Sequence, residues 1–297
     1  MHWLSQHRGG GARRQRGHGA SLVIPAEFKY VRVDSVDEAL TVLAEHDGDA
    51  KLLAGGHSLL PLMKLRLATP TLLIDIGRLN ELSYVRVENG HVAIGALTRH
   101  HDIAKSPVAH SHAGLLAHVA GQIGDPQVRH RGTIGGSIAH GDSASDLPAA
   151  LLALGGSVTV EGQNGRREID AADFHLSFFE TALAPNEMMI EVKVPRSAQD
   201  RWGFEKLTKR AQDWAIVGVA AAVNDNGVGV GLINMGPVPL RAHEVEAALA
   251  AGASARDAAE LADADTDPGS DFNASAEYRR HLARVLVRRA LEQAGIQ

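Results

Sequence analysis

The sequence predicts a chain of mixed helix and strand in about two domains, and three observations carry that expectation. It has 297 residues, near twice the roughly 150 residues of one domain. Strand-like and helix-like runs alternate between residues 30 and 80 as a small α/β unit. Three Asn-Gly pairs, Asn89-Gly90, Asn164-Gly165 and Asn226-Gly227, each separate two β-type runs, the strongest short signal for a hairpin.

Composition narrows the function classes. Hydrophobic residues make up 44% and charged residues 22%, as in ordinary globular chains, and this length allows a substantial core. A net charge of −5 gives no general attraction to nucleic acid, and 4% aromatics make a base-stacking platform a poor expectation. The lack of cysteine excludes disulfides, a Cys-ligated iron–sulfur cluster and a thiolate nucleophile within these residues. No apolar run approaches the ~20 residues of a transmembrane helix. Residues 1–22 stand apart, with Arg8, Arg13, Arg14, Arg16 and three histidines, no acid and no apolar period. They read as a disordered basic extension. Arg13-Arg14 lacks the following apolar stretch of a twin-arginine export signal. A nucleic-acid arm and a start placed too early are the other readings, since organised sequence begins near Val23.

Taken in order, residues 30–33 alternate as a strand. Ser35-Val36-Asp37-Glu38 has the S-x-x-E capping-box form. Val36, Ala39, Leu40 and Leu43 follow at helical spacing, which predicts a helix to about Glu45. Residues 51–54 form a short strand running into Gly55-Gly56-His57-Ser58. Residues 59–67 are apolar, punctuated by Pro61, Lys64 and Arg66, and residues 72–76 read as a buried strand interrupted by Asp75. Residues 84–87 and 91–94 flank the first Asn-Gly turn. Helical patterns begin at Thr98 and again over 115–123. His100, His101, His110, His112 and His118 fall here; they lack the specific spacing of a ligand set and are expected as scattered exposed histidines. Residues 147–154 are apolar and helical, and 157–160 pair with 168–169 across the second turn. Residues 174–179 and 188–194 continue the apolar segments, and Pro195 with the polar run to Arg201 marks a boundary. Then come Phe204-Glu205-Lys206-Leu207, an apolar run ending at Val223, residues 228–233, an Ala-rich helix over 242–251 and an acidic loop over 263–271. Ser275 caps a last helix whose apolar stripe is Tyr278, Leu282, Val285, Leu286 and Leu291. Arg279, Arg280, Arg284, Arg288 and Arg289 occupy its other face, open to solvent or a partner.

Two glycine loops carry the chemistry. Residues 125–146, DPQVRHRGTIGGSIAHGDSASD, contain Arg129 and Arg131, a Gly-Thr-Ile-Gly-Gly turn and a run ending in Asp146. Glycines permit close backbone approach, successive N–H groups in such turns form anion nests, and Thr133 and Ser137 add hydroxyls. One such turn is most often only a turn. A second, LLAGGHSLLPLMK over 52–64, points to a dinucleotide whose pyrophosphate lies between the two. Neither has the Walker A form or the G-x-G-x-x-G fingerprint with its later acid, so a nucleotide fold of another kind is indicated. No Ser-His-Asp order or His-Glu-x-x-His motif stands out. Asp142 and Asp146 read either as a carboxylate pair for hydrolysis or as hydrogen-bonding groups for ribose or phosphate.

At these residues the chain resembles a known family. AGGHSLLPLMKLRLA, DPQVRHRGTIGGSIAHGDSASDLPAALLAL and RAQDWAIVGVAAAV look like the FAD-binding medium subunit of molybdenum hydroxylases, in the carbon monoxide dehydrogenase branch. The resemblance runs from about Val23 to Gln297. It implies an α+β chain: an FAD-binding domain of the PCMH, vanillyl-alcohol-oxidase-like type over 23–198, in subdomains of about 23–81 and 82–198, then a small α+β C-terminal domain over 199–297. It implies that Ala54, Gly55, Gly56, His57 and Ser58, with Thr133, Ile134, Gly135, Gly136 and Ser137, hold the pyrophosphate of non-covalent FAD by backbone N–H groups. Asp146 would hydrogen-bond the cofactor and Lys206 would lie near the flavin. His130 stands where most relatives have Asn and receives no role; no residue is assigned to catalysis or to a metal.

The same resemblance implies partners: a small subunit with two [2Fe–2S] clusters and a large subunit with molybdopterin, assembled as a dimer of heterotrimers. The location implied is the cytoplasm, with peripheral association at the inner face of the membrane left open. Electrons would pass from molybdenum through the clusters to FAD and on to an external acceptor, and the large subunit would set the substrate. The missing cysteines agree with that division of labour. A self-contained FAD-dependent oxidoreductase is the alternative, although no acid/base set stands beside the loops. A nucleic-acid binder using the basic arm is opposed by the acidic net charge.

Overall fold

The computed structural model describes residues 24–46, 48–196, 201–225 and 227–297. The basic extension over 1–22, Asn226 of the third hairpin and residues 197–200 of the polar run lie outside the described residues.

The first unit contains β1 (Lys29–Arg32), α1 (Val36–Ala44), β2 (Ala50–Leu53), α2 (Leu59–Lys64) and β3 (Leu72–Asp75). Its sheet is parallel, ordered β1-β3-β2. Parallel strands need crossovers: α1 lies in the connection from β1 to β2, and α2 in the one from β2 to its neighbour β3. Ser35 caps α1 by accepting from the Glu38 N–H at 3.1 Å. The Glu38 carboxylate turns back to the N–H of Asp34, at 2.8 Å, one residue earlier than a standard capping box reaches. Ala39, Leu40 and Leu43 of α1 are buried against Leu72 and Ile74 of β3 and Ile76 just beyond it.

The second unit opens with β4 (Val85–Glu88) and β5 (His91–Gly95). Asn89 and Gly90 have φ of 49° and 81°, the left-handed pair that a two-residue hairpin requires. Six helices follow: α3 (His100–Lys105), α4 (Pro107–His112), α5 (Gly114–Gln122), α6 (Pro126–Arg131), α7 (Ile134–Ala139) and α8 (Asp146–Leu154). Then come β6 (Ser157–Gly162), β7 (Gly165–Asp170), α9 (Ala171–Phe174), β8 (His175–Ser177), β9 (Glu180–Thr181) and β10 (Met188–Pro195). Five strands form an antiparallel sheet ordered β4-β5-β10-β6-β7. The register of β10 against β6 skips Ile190, between Met189 and Glu191. Such a bulge re-aims side chains: Met188 and Ile190 join the core of the first unit, while Met189, Val192 and Val194 join the core under the helices.

The third unit contains β11 (Trp202–Leu207), β12 (Val217–Asn224), β13 (Gly227–Ile233), β14 (Leu240–Arg241), α10 (His243–Ala250), α11 (Ala255–Ala259) and α12 (Ala276–Gln293). Its antiparallel sheet runs in sequence order and is covered on both faces, so β12 is apolar nearly throughout. Val217, Val219 and Ala221 pack toward the C-terminal helices, and Ala220 and Ala222 toward the core containing α8. All nine residues of α8 are buried. It lies directly on the β13 backbone: a Cβ on Gly229 or Gly231 would stand 2.1 Å from the carbonyl oxygen of Ala153 or Ala149.

The α12 helix corrects two expectations. Ser275 caps it, and Leu282, Leu286 and Leu291 are buried as the stripe requires, but Tyr278 of the same stripe is 46% exposed. Arg279, however, is only 3% exposed and does not belong to a solvated basic face. It precedes Leu282 by three positions and Leu286 by seven, the spacing of the core stripe itself. Its guanidinium donates to the Ile216 carbonyl and to Asp271 at 2.7 Å. Arg284 is likewise engaged, with Asp263 at 2.7 Å. Among the described residues no helix is long and apolar enough to cross a membrane.

Candidate functional site

The first loop leaves β2 and turns into α2 through Ala54, Gly55, Gly56, His57 and Ser58. Gly56 has φ of 75°, a left-handed conformation that glycine adopts without a Cβ penalty. The N–H groups of Gly55, Gly56, His57 and Ser58 donate to no acceptor among the described residues, and Ser58 makes no side-chain cap to α2. Four uncommitted donors in succession around a left-handed residue form an anion-binding concavity.

The second loop is built differently. Asp125 caps α6 through the Val128 N–H at 2.9 Å. Arg129 donates to the carbonyls of Ile123 and Gly124 at 2.8 and 3.1 Å, so its guanidinium serves the loop itself. The Thr-Ile-Gly-Gly segment is the start of a helix, not an open turn: Thr133 caps α7, its hydroxyl oxygen accepting from the Gly136 N–H at 3.2 Å. The Ile134 N–H bonds Thr98, that of Gly135 bonds Ala96 and that of Ser137 bonds the Thr133 carbonyl, at 3.0, 2.9 and 3.0 Å. The Thr133 N–H remains uncommitted among the described residues. Gly135 is a packing glycine: a Cβ there would lie 2.7 Å from the Ala96 Cβ and 2.8 Å from its oxygen.

The fold brings the loops into contact. A Cβ on Gly55 would stand 2.1 Å from the Arg131 carbonyl oxygen and 3.0 Å from the Gly132 Cα. Beneath the junction lies His100, whose N–H bonds the Gly132 carbonyl at 3.1 Å. A Cβ on Gly132 would approach its Nε2 to 2.7 Å. At 4% exposure, His100 contradicts the expectation of scattered exposed histidines, because the first residue of α3 turns inward under the loops. Burial, and to a lesser extent the charge of His57, lowers its pKa to about 4. His101 stacks on His130 with ring centroids 4.0 Å apart, His118 packs against Trp202 and His110 is exposed. Among the described residues no three His, Asp or Glu side chains gather as a metal-ligand set.

Asp146 and Lys206 meet although 60 positions separate them. Lys206 Nζ lies 2.6 Å from Asp146 Oδ2, with the side chains 12% and 5% exposed. The other oxygen, Oδ1, is buried with no partner in the chain. Burial raises the Asp146 pKa, and Lys206 opposes that rise through its charge and hydrogen bond. Asp142 is not the second half of a carboxylate pair: its Oδ1 accepts from the Ala144 N–H at 2.9 Å in a local turn, and Asp146 is engaged with lysine. Buried acceptors are nearly always satisfied, so the orphaned Oδ1 marks a place for an external donor. A concavity of about 840 Å³ on the outer face of the five-stranded sheet contains none of these residues.

His100 and Gly132 are site residues that sequence reasoning missed. Gly132 belongs to the visible glycine cluster, but His100 shows no local pattern; its importance comes from burial.

Comparison with known proteins agrees with this geometry. Residues 26–197 match the family described as FAD binding domain in molybdopterin dehydrogenase, and residues 202–294 match the CO dehydrogenase flavoprotein C-terminal domain. The chain is 42% identical to the carbon monoxide dehydrogenase medium chain of Hydrogenophaga pseudoflava, over 92% of this chain and 98% of that one. It is 38% identical to the glyceraldehyde dehydrogenase medium chain of Sulfolobus acidocaldarius, over 91% and 99%. A solved structure of carbon monoxide dehydrogenase from Hydrogenophaga pseudoflava superposes with a TM-score of 0.88 at 44% identity, covering 92% of this chain and 98% of that one. Loop pair, central sheet and C-terminal domain thus fall within one lineage, and this chain belongs to the family of FAD-binding medium chains of the molybdopterin dehydrogenases.

Proposed function

We propose that this chain is the FAD-binding electron-transfer subunit of a molybdenum-containing hydroxylase or dehydrogenase complex. The observation that best supports it is the row of uncommitted N–H groups at Gly55, Gly56, His57 and Ser58, set against the second loop. These donors suit a pyrophosphate, and the residues present fit FAD. The second loop contributes the Thr133 N–H and the Thr133 and Ser137 hydroxyls, while α7 forms a wall. Asp146 accepts from the cofactor through Oδ1, with Lys206 beside it. When bound, FAD would supply exchange between one-electron carriers on a partner and an external acceptor. The protein holds the cofactor non-covalently, orients it and sets the local charge.

The partners in this reading are a small iron–sulfur subunit and a large molybdopterin subunit in a dimer of heterotrimers in the cytoplasm, with the parent substrate chosen on the large subunit. Relatives named for carbon monoxide and for glyceraldehyde match at 42% and 38% identity, which supports a shared flavin module serving different substrates. The test is a titration of the purified full chain with FAD, followed by acid precipitation, which should release free FAD. No uptake overturns the reading. The FAD-loaded chain should not turn over carbon monoxide, aldehydes or purines with a dye acceptor. Turnover of about 1–10³ per second would instead favour the self-contained oxidoreductase.

A further inference from the structure

The outer face of the five-stranded sheet holds the concavity of about 840 Å³ that stands apart from the glycine loops. Its size falls within the range of about 300–1,000 Å³ for small-molecule sites. Along β5, β6 and β10 the side chains alternate: Val92, Ile94, Val158, Val160, Val192 and Val194 enter the core under the helices, and the residues between them face the other way. Those residues fall into two rows across the strands. One runs Gly95, Glu191, Thr159, Glu168, and the next Arg86, Ala93, Lys193, Ser157. Ala93, Ser157 and Thr159 are short and only 2%, 7% and 8% exposed, and the long charged side chains of β4 and β7 stand around them as a rim. A Cβ on Gly95 would stand 2.2 Å from the Leu82 carbonyl oxygen, so the missing side chain lets residues 82–84 cross as one wall.

The charges of this concavity are unevenly matched. Five glutamates and four arginines or lysines line it, and every one of those cations is committed. Arg86 pairs with Glu88 and Arg166 with Glu161, at 2.9 and 3.0 Å. Lys193 pairs with Glu168 at 2.8 Å, and Arg167 with Glu187 beyond the rim at 2.6 Å. His91 keeps to its own turn, on the Asn89 carbonyl. Two carboxylates remain. Glu81 is exposed and has no partner among the described residues. Glu191, with its side chain 12% exposed, accepts from the Tyr84 hydroxyl at 2.6 Å, while Arg86 and Lys193 lie at 3.7 and 3.9 Å. Opposite Glu191, in register on β6, the Thr159 hydroxyl is buried without a partner. A buried hydroxyl with no hydrogen bond is unfavourable, and this one stands between opposed carboxylates, Glu191 on one strand and Glu168 on the other. An anion entering here would have to displace a carboxylate from a paired arginine or lysine, whereas a cation meets acceptors that are free. Val36, Leu82 and Ile190 add apolar surface.

We propose that this concavity is a binding site for a small organic ammonium ion, whose N–H groups donate to Glu191 and to the Thr159 hydroxyl while its alkyl body lies along Val36, Leu82 and Ile190. Charge-assisted hydrogen bonds to a carboxylate of low solvent access supply the affinity, and the apolar wall selects a short carbon chain. None of the residues of the glycine loops, nor Asp146 or Lys206, lines the concavity, so the inference goes beyond the FAD-binding reading and does not depend on it.

The test is calorimetric titration of the full chain, at neutral pH and fixed ionic strength, with n-butylammonium chloride and with sodium butyrate, a similar body of opposite charge. Butylammonium should bind saturably at one site, and butyrate should not bind. Thr159→Val keeps the shape and removes the hydroxyl, and Glu191→Gln keeps the shape and removes the charge. Each should weaken butylammonium about tenfold. Thr159→Val deletes only a group that has no partner in the chain, so it should unfold at a temperature no lower than the wild type. Should Glu191→Gln fail to fold, Thr159→Val decides. No saturable binding of butylammonium to the wild type, equal binding of butyrate, or unchanged affinity in Thr159→Val overturns the proposal. A chain that binds butylammonium and takes up no FAD would defeat the FAD-binding reading alone.

Discussion

The two glycine loops resemble one another in sequence and differ in the folded chain. Gly55-Gly56-His57-Ser58 leaves its N–H groups free and enters α2 without a side-chain cap. Ile134-Gly135-Gly136-Ser137 commits every N–H to an acceptor within the chain and enters α7 under a Thr133 cap. The first keeps open donors, and the second packs as a support against it. Similar glycine content thus serves two physical ends, open donors in one loop and close packing in the other. A motif match cannot separate them, because the difference lies in what each N–H finds after folding.

The largest expected effect on cofactor binding comes from breaking the contact between them. Gly55→Val places a branched side chain where Cβ alone would stand 2.1 Å from the Arg131 carbonyl oxygen. Backbone cannot yield cheaply, so the loops must part. FAD affinity should fall by about 100-fold or more, equivalent to about 2.7 kcal/mol, with a lower unfolding temperature. Flavin titration and thermal unfolding read both, and undiminished affinity would show that the loops need not touch.

Next is the acid sensitivity of His100, under both loops. Its folded pKa, about 4, lies below the unfolded value of about 6.5. The unfolded chain therefore takes up a proton that the folded chain refuses. The stability in question is complete above about pH 6.5 and is lost as the pH falls toward 4, amounting to about 3 kcal/mol over that window. Denaturant unfolding of the wild type and of His100→Gln at several pH values isolates this contribution. Parallel curves between pH 6.5 and 4 would exclude His100 as the source.

Two smaller effects sharpen the contrast at the helix entries. Thr133→Ala removes the cap of α7 and should cost about 1 kcal/mol of stability, seen as a lower urea midpoint at unchanged slope. Ser58→Ala removes no cap and should change stability by less than about 0.5 kcal/mol. Equal losses in the two variants would mean that the entries are built alike.

Local signals were legible in the sequence where local chemistry decides structure. The Asn89-Gly90 and Asn164-Gly165 hairpins, the Ser35 and Ser275 caps and the apolar α8 all form near their expected positions. What stayed hidden was set by partners distant in the chain. Gly135 packs on Ala96, nearly forty positions away, a contact that no local pattern announces. Arg279 was read as a surface charge, yet its position on the stripe buries it beside Asp271 and the Ile216 carbonyl. Asp146 and Lys206 were each expected near a cofactor by resemblance, while their pairing followed only from packing β11 beside α8.

The bulge in β10 bears on how the chain is made. Met188 and Ile190 are shared into the first core, whose other members end at Leu97. A ribosome reaches Met188 about 90 residues after Leu97, roughly 5–20 seconds later at ordinary elongation rates. Through that interval the nascent first unit lacks two of its core side chains, and the parallel sheet waits with apolar surface uncovered. Chaperone dependence should therefore peak before β10 emerges, and slowing translation between these positions should raise aggregation more than slowing it after Pro195.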